Sequence, residues 1–439
     1  MRLASTHHRA PLVGFREALR RGLAPDGGLY QPIELPRFHE ADLAAWRGLP
    51  FEAIARQLAR RLLEGEFAPE VLDRVVGGAL DFPVPARPLG DGLSLVELFH
   101  GPTLAFKDFG ARFLARLFSE VLREDHDRAT VLVATSGDTG SAVARGFAGV
   151  AGTQVVVLYP AGRVSPFQEA QMATIGGNVT AVRVAGGFDD CQLLVKSAML
   201  DPDLSALRVS SANSINIGRL LPQTFYYVSA YLDVASRPGE PVVFAVPSGN
   251  LGNLTAGVMA ARMGLPVARF VAATNANDVL PEYLDSGAYR PRASVPTLSN
   301  AMDVGDPSNF ARLAAMYDAS AARMGEAIAG LRVSEAETRE AIRGAYRRSG
   351  TVLDPHAAVA YSAAMRFQRA AGTRAPIVVL ATAHPAKFAD VIREELGVEP
   401  ELPASERGWR SRPLLAVDLP QASPAAFKDL LMGLGSRHS

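Results

Sequence analysis

A lysine can do what an arginine cannot, which is to lose its proton near neutral pH and attack a carbonyl carbon. This chain of 439 residues carries 45 basic side chains, and four of them are lysines: Lys107, Lys196, Lys387 and Lys428. Where arginine supplies nearly every other cation, each retained lysine is a candidate for amine chemistry. Lys107 lies in Leu95-Val-Glu-Leu-Phe-His-Gly-Pro-Thr-Leu-Ala-Phe-Lys-Asp-Phe-Gly110. There an apolar run ends, a Gly-Pro turn follows, and a helix is expected to begin near the lysine. The positive end of a helix and the apolar rings of Phe106 and Phe109 both push an ammonium towards its neutral form, which favours an imine. Lys428 shares the Phe-Lys-Asp triplet in an expected terminal helix, so the surrounding loops must distinguish the two.

Three loops supply groups for a ligand. Ser248-Gly-Asn-Leu-Gly-Asn253 follows the apolar run Val242 to Val246 and precedes a helical stretch. Its glycines, Gly249 and Gly252, let the backbone fold tightly. The N–H groups of Gly249, Asn250, Leu251, Gly252 and Asn253 can then converge on a small anion. The pattern matches no nucleotide fingerprint, so a small phosphate ester is the expected anion, against the plainer reading of a strand-to-helix turn. Thr135-Ser-Gly-Asp-Thr-Gly140 repeats the device, with the hydroxyls of Ser136 and Thr139 and the carboxylate of Asp138. It suits a substrate carboxylate, or Ser136 or Asp138 simply caps a helix. In Ala381-Thr-Ala-His-Pro-Ala-Lys-Phe388 the Thr382 hydroxyl is a third contact, suited to a pyridine nitrogen left largely unprotonated. His384 and Lys387 read more simply as caps. Arg163 and Arg219 each follow a strand by a few residues, and either holds a departing phosphate or makes an ordinary ion pair. Asn213, Ser214 and Asn216 add hydrogen bonds there or close a turn.

The elements that would position these loops form an α/β pattern. Runs at Val131 to Ala134, Gln154 to Leu158, Val179 to Val184, Val242 to Val246, Phe270 to Ala273 and Ile377 to Leu380 alternate with amphipathic stretches. Such alternation argues for mainly parallel sheets covered on both faces, with ligands at the carboxyl ends of the strands. We expect two α/β domains with the site in the cleft between them, a smaller one over 93–215 and a larger, cofactor-binding one over 216–400. An N-terminal helical region over 1–92, including a helical span from Leu43 to Leu63, packs on them. A tail over 401–439 drapes over the surface and ends in a short helix at Ala425 to Leu434.

Composition narrows the function class. The 45 acidic residues balance the 45 basic ones, so no overall field draws in nucleic acid or an anionic membrane. A hydrophobic fraction of 48% with 21% charged residues is that of a globular protein. The single cysteine, Cys191, reads as a small apolar residue in a helix rather than a redox group. With an N-terminus lacking a long apolar run, this points to the cytoplasm. The expected partner is a small molecule, with no nucleic acid, membrane or metal, and the oligomeric state stays open.

Taken together, GLAPDGGLY, ELFHGPTLAFKDFGARF, ATSGDTGSA, SANSINIGRLLPQ, GNLGN, TLSNAMDVGDPSNF and TAHPAKF resemble, in order, the threonine synthase family of pyridoxal-phosphate enzymes with the tryptophan-synthase β fold. The resemblance implies pyridoxal 5'-phosphate held as an aldimine on Lys107, its phosphate on the backbone from Gly249 to Asn253, and Thr382 at the pyridine nitrogen. It places Asp138 near the cofactor. It also implies a lyase of threonine biosynthesis that converts O-phospho-L-homoserine and water to L-threonine and phosphate, with Lys107 moving the protons. Two other readings remain open: a phospho-lyase releasing a 2-keto acid, ammonia and phosphate, and a non-catalytic binder of a small phosphorylated metabolite. Two departures are mild: Ala4-Ser-Thr-His-His8 stands where relatives often have Ser-Thr-Arg, and GNLGN where they often have Phe and a final Asp.

Overall fold

The computed structural model describes residues 1–435. The β-branched runs sort into two mainly parallel sheets that share a layer of helices. The larger sheet orders its six strands Ile328–Arg332, Val267–Thr274, Val242–Pro247, Ile377–Ala381, Leu93–Glu97 and Ala86–Gly90. All neighbours run parallel except the last pair. Strands covered on both faces must be apolar at successive positions, and Val242–Pro247 and Ile377–Ala381 are buried throughout. Alternate side chains part to opposite faces. Phe244, Val246, Val378 and Leu380 enter one core, and Val243, Ala245, Ile377 and Val379 another.

The smaller sheet is wholly parallel, ordered Val417–Leu419, Val179–Val184, Thr153–Pro160, Ala129–Ala134 and Val209–Ser211. Val131, Val133, Val155 and Val157 face the same core as Phe244 and Leu380. One apolar layer therefore joins the two sheets. Leu132, Val156 and Val182 close a third core on the far side. The α/β class with two parallel-sheet units is the architecture adopted.

Four local features differ from expectation. The N-terminal region also carries a small antiparallel sheet of Val13–Gly14, Arg2–Ser5 and Tyr30–Pro32, whose strands are too short to show alternation. The helical span from Leu43 to Leu63 is two helices, Glu40–Trp46 and Phe51–Leu62, because Pro50 has no N–H to continue the first. Leu93–Glu97, assigned by the boundary at 93 to the smaller unit, pairs with Ile377–Ala381 in the larger sheet. The tail does more than drape. It adds the edge strand Val417–Leu419 to the smaller sheet, and its last helix, Pro424–Gly435, sends Phe427 and Leu431 into that unit's core. Among the described residues, no helix is long and apolar enough to cross a membrane.

What positions the site is one neighbour relation. Val242–Pro247, Ile377–Ala381 and Leu93–Glu97 lie side by side and parallel, so the loops leaving their carboxyl ends emerge together. Those loops carry Gly249 to Asn253, Thr382 and Lys107.

Candidate active site

Lys107 is the first residue of the helix Lys107–Glu124. The loop before it is tied to the segment after the neighbouring strand. Phe106 N–H donates to the Thr382 carbonyl at 2.9 Å, and His384 N–H to the Leu104 carbonyl at 3.0 Å. Asp108, buried, accepts from the Thr103 N–H at 2.8 Å and the Thr103 hydroxyl at 2.9 Å, which turns the chain into the helix. The Lys107 amine lies 4.6 Å from the centre of the Phe106 ring and has no hydrogen-bond or ion-pair partner among the described residues. Burial, with help from the Arg219 charge, draws its pKa down to about 8, while Asp138 pulls the other way.

The amine faces a small cavity lined also by Asp138, Arg219, Gly249 to Asn253 and Thr382. In the Ser248 to Asn253 loop the left-handed residue is Leu251, at φ +59°, and neither glycine takes a positive φ. This corrects the expectation that both glycines supply the tight fold. Gly249 instead permits close approach, since a Cβ there would lie 2.7 Å from Met302 Cα and 2.9 Å from the Ala301 carbonyl oxygen. Gly252 starts the helix Gly252–Met263, and a Cβ there would meet nothing nearer than 3.5 Å. Side chains lock the loop. The Asn250 amide donates to Ser214 Oγ at 2.7 Å and accepts from Ser308 N–H at 2.6 Å, and the Asn253 amide donates to the Pro247 carbonyl at 2.9 Å. The backbone N–H groups from Gly249 to Asn253 keep no protein acceptor among the described residues. Unpaired amides at a helix N-terminus are a ready phosphate cradle.

Across the cavity, Asp138 opens the helix Asp138–Phe147 of the smaller unit. Its carboxylate takes the Lys387 ammonium at 2.7 Å and the Gln168 side-chain N–H at 3.0 Å. Burial acts to raise its pKa, but the charge and hydrogen bond of Lys387, with Gln168, outweigh it and hold the carboxyl below its ordinary range. Lys387, its side chain wholly buried, also donates to the Thr103 carbonyl at 2.9 Å and to Gln171 Oε1 at 3.2 Å. It therefore links the loop after Ile377–Ala381 to the smaller unit and to the loop that carries Lys107. Reading Lys387 as a cap missed this, although the scarcity of lysine was the signal. His384 does cap, its Nδ1 accepting from Ala386 N–H at 3.1 Å.

The profile of the Pyridoxal-phosphate dependent enzyme family matches residues 83–383, that of the Threonine synthase N terminus residues 2–80, and that of Threonine synthase, C-terminal residues 357–431. The threonine synthase of Serratia marcescens is 42% identical over 99% of this chain and 100% of its own length. The chain belongs to the threonine synthase family. Two crystal structures agree. Threonine synthase from Brucella melitensis with pyridoxal phosphate bound superposes with a TM-score of 0.91 at 38% identity, covering 99% of each chain. That from Escherichia coli superposes with 0.91 at 39%, covering 99% of this chain and 100% of its own.

As a threonine synthase family member the chain is a pyridoxal-phosphate-dependent lyase of threonine biosynthesis. Its residues fit that cofactor. The amides from Gly249 to Asn253 offer donors without acceptors, and the unpartnered Lys107 amine and the Thr382 hydroxyl border the same space. Arg219 also lines it, 2% exposed, with Nη1 donating to the Ala212 carbonyl at 2.5 Å and Nε buried without a partner.

The remaining expected residues are not brought to this cavity. Arg163 is exposed and borders no described cavity. Ser136 is exposed and Thr139 half-buried, and the turn is made instead by the Thr135 hydroxyl, which accepts from the N–H groups of Gly137 at 2.9 Å and Gly140 at 2.8 Å. Asn213 pairs both ways with the Ala134 backbone, at 3.2 and 2.9 Å. Asn216 spans the Leu19 and Ser211 carbonyls and Gly218 N–H. Both amides fix the loop and neither lines the cofactor cavity, although Asn213 lines a larger cavity beside it. Sequence reasoning also missed His356, which lines the cavity. Its Nδ1 meets Asp354 Oδ2 at 2.6 Å and its Nε2 accepts from Ala301 N–H at 3.2 Å, bracing the backbone that closes over Gly249. No local pattern marks it. Cys191 is fully buried, and burial pushes its thiol up to about 12, as suits an apolar role.

Proposed function

We propose that this chain is a cytoplasmic threonine synthase that converts O-phospho-L-homoserine and water to L-threonine and phosphate. The observation that carries the reading is one cavity holding an unpartnered lysine amine with a lowered pKa and a row of unpaired amides at a helix start. When bound, pyridoxal phosphate supplies an electron sink for the charge left on the substrate carbons as protons depart. The amides from Gly249 to Asn253 hold an ester phosphate, and the Thr382 hydroxyl offers a neutral contact to a ring nitrogen. Lys107 works on both sides of proton transfer. As a neutral amine it takes a proton from Cα and, after giving that proton up, one from Cβ; as an ammonium it returns one to Cγ once the γ-phosphate has left, and water then supplies the hydroxyl of Cβ and the proton that restores Cα. Arg219 and Asp138 bracket it with opposite charges, so both protonation states stay accessible near neutral pH. Arg219 is the better of the two expected arginines to meet the departing phosphate, because its buried Nε lacks a partner while Arg163 stands in solvent.

Incubation with O-phospho-L-homoserine, followed by identification of all products, tests substrate and reaction together. Threonine and phosphate in equal amounts are expected. Release of 2-oxobutyrate and ammonia in place of threonine would establish the phospho-lyase. A protein that takes up no cofactor and turns over nothing would leave only metabolite binding.

A further inference from the structure

The four lysines divide by environment. Lys107 borders the cofactor cavity, while Lys387 and Lys428 are held by carboxylates. Lys196 is exposed and pairs with no carboxylate among the described residues. It stands on the helix Phe188–Leu200 of the smaller unit, one turn after Gln192, so the two side chains share a face. That face borders a second cavity, of about 450 Å³, lined by the N-terminal region and by both α/β units. The N-terminal region contributes His7 and the larger unit Ser308 to its lining. Among the described residues, the only carboxylate on its lining is Asp306, which accepts from the Tyr289 hydroxyl at 2.8 Å. Ser214 and Asn250, hydrogen-bonded to one another at 2.7 Å, line both cavities, so the two spaces adjoin there.

From this geometry we infer that the larger cavity is the vestibule of the active site, and that Lys196 with Gln192 forms an anion subsite in it for the phosphate of the incoming phosphorylated amino acid. The inference rests on the reading given under Proposed function. A dianionic phosphomonoester gains most from a cation that no protein carboxylate neutralises, and Lys196 is such a cation on the lining. The amide of Gln192 adds a neutral donor on the same face. A ligand held at this subsite occupies the same cavity as Ser214 and Asn250, which also line the cavity that holds Lys107. Inorganic phosphate, the product, shares the chemistry and is expected to bind there more weakly.

The test compares Lys196→Met and Lys196→Arg with the wild-type holoenzyme. For Lys196→Met the KM for O-phospho-L-homoserine is expected to rise about tenfold or more, the usual weight of a charge-assisted hydrogen bond, with kcat falling far less. The inhibition constant for inorganic phosphate should rise in parallel, and Lys196→Arg should recover most of both. Added salt should raise KM steeply in the wild type and weakly in Lys196→Met. A Lys196→Met enzyme with unchanged KM and unchanged phosphate inhibition overturns the subsite, as does a loss confined to kcat. A wild type that makes no threonine overturns the functional reading instead. The subsite is then judged by equilibrium dialysis of inorganic phosphate, where equal binding to wild type and Lys196→Met overturns it.

Discussion

At the scale of single residues, the chemistry turns on how far an amine can be stripped of its proton. Lys107 is the group on which sequence and structure speak most directly to one another. A lysine kept in an arginine-rich chain beside two phenylalanines was readable as a reactive amine because desolvation is a local property. Its neighbours Arg219 and Asp138 were not readable as a pair, because they reach it from different units. The pKa near 8 has a kinetic consequence. Only the neutral amine attacks an aldehyde, so the rate at which cofactor-free protein takes up pyridoxal phosphate should climb about tenfold per pH unit below pH 8 and level off above it. Stopped-flow absorbance between pH 6 and pH 10 measures this. A rate still climbing tenfold per unit towards the ordinary lysine range would mean that burial does not lower the pKa. Lys107→Ala should bind the cofactor without the band that borohydride removes.

Among the elements, the parallel strands were legible because strands buried on both faces are written as unbroken apolar runs, as in Val242–Pro247. The N-terminal sheet was not, since Val13–Gly14 and Tyr30–Pro32 carry too few residues to show a period. In the phosphate loop the pattern of glycines was visible but their separate duties were not. Gly249→Ala pushes a methyl against the Ala301–Met302 backbone, whereas Gly252→Ala finds ordinary contact distance. We expect Gly249→Ala to weaken pyridoxal phosphate binding by about tenfold or more, the equivalent of ~1.4 kcal/mol of forced displacement, and Gly252→Ala to bind nearly as the wild type does. Equal losses in a fluorescence titration would refute the distinction. The Asp138 and Lys387 pair was hidden because its partners follow strands of different sheets. Removing one member of a buried pair strands the other charge, so Lys387→Met and Asp138→Asn should each cost ~3–5 kcal/mol in urea unfolding of the cofactor-free protein. The double variant should cost clearly less than their sum, and simple additivity would show that the two charges do not depend on each other.

For the molecule as a whole, the pairing of distant segments was the part the sequence concealed. Each apolar run declares that it is a strand, but nothing local declares that Leu93–Glu97 lies beside Ile377–Ala381. The same holds for the joints between units, and Arg312 is the clearest of them. It is fully buried, and in the sequence it is one arginine among many. Its Nε donates to the Tyr30 carbonyl at 3.1 Å, its Nη1 to the Ser214 carbonyl at 3.1 Å and Asn309 Oδ1 at 2.6 Å, and its Nη2 to the Ile215 carbonyl at 2.5 Å. One guanidinium thus holds the N-terminal sheet, the loop beside the cofactor cavity and the helix Phe310–Met316 that bears it. Arg312→Met keeps most of the volume but leaves those acceptors buried without donors, each costing ~1–3 kcal/mol. We expect a loss of at least ~3 kcal/mol in urea unfolding, with faster proteolysis of the first thirty or so residues than of the core, because the N-terminal sheet loses its tie. Cofactor affinity should fall as well, since Ser214 also accepts the Asn250 hydrogen bond that shapes the phosphate loop. An Arg312→Met protein that matches the wild type in unfolding, proteolysis and cofactor binding would show that packing alone, without this cation, holds the three parts together.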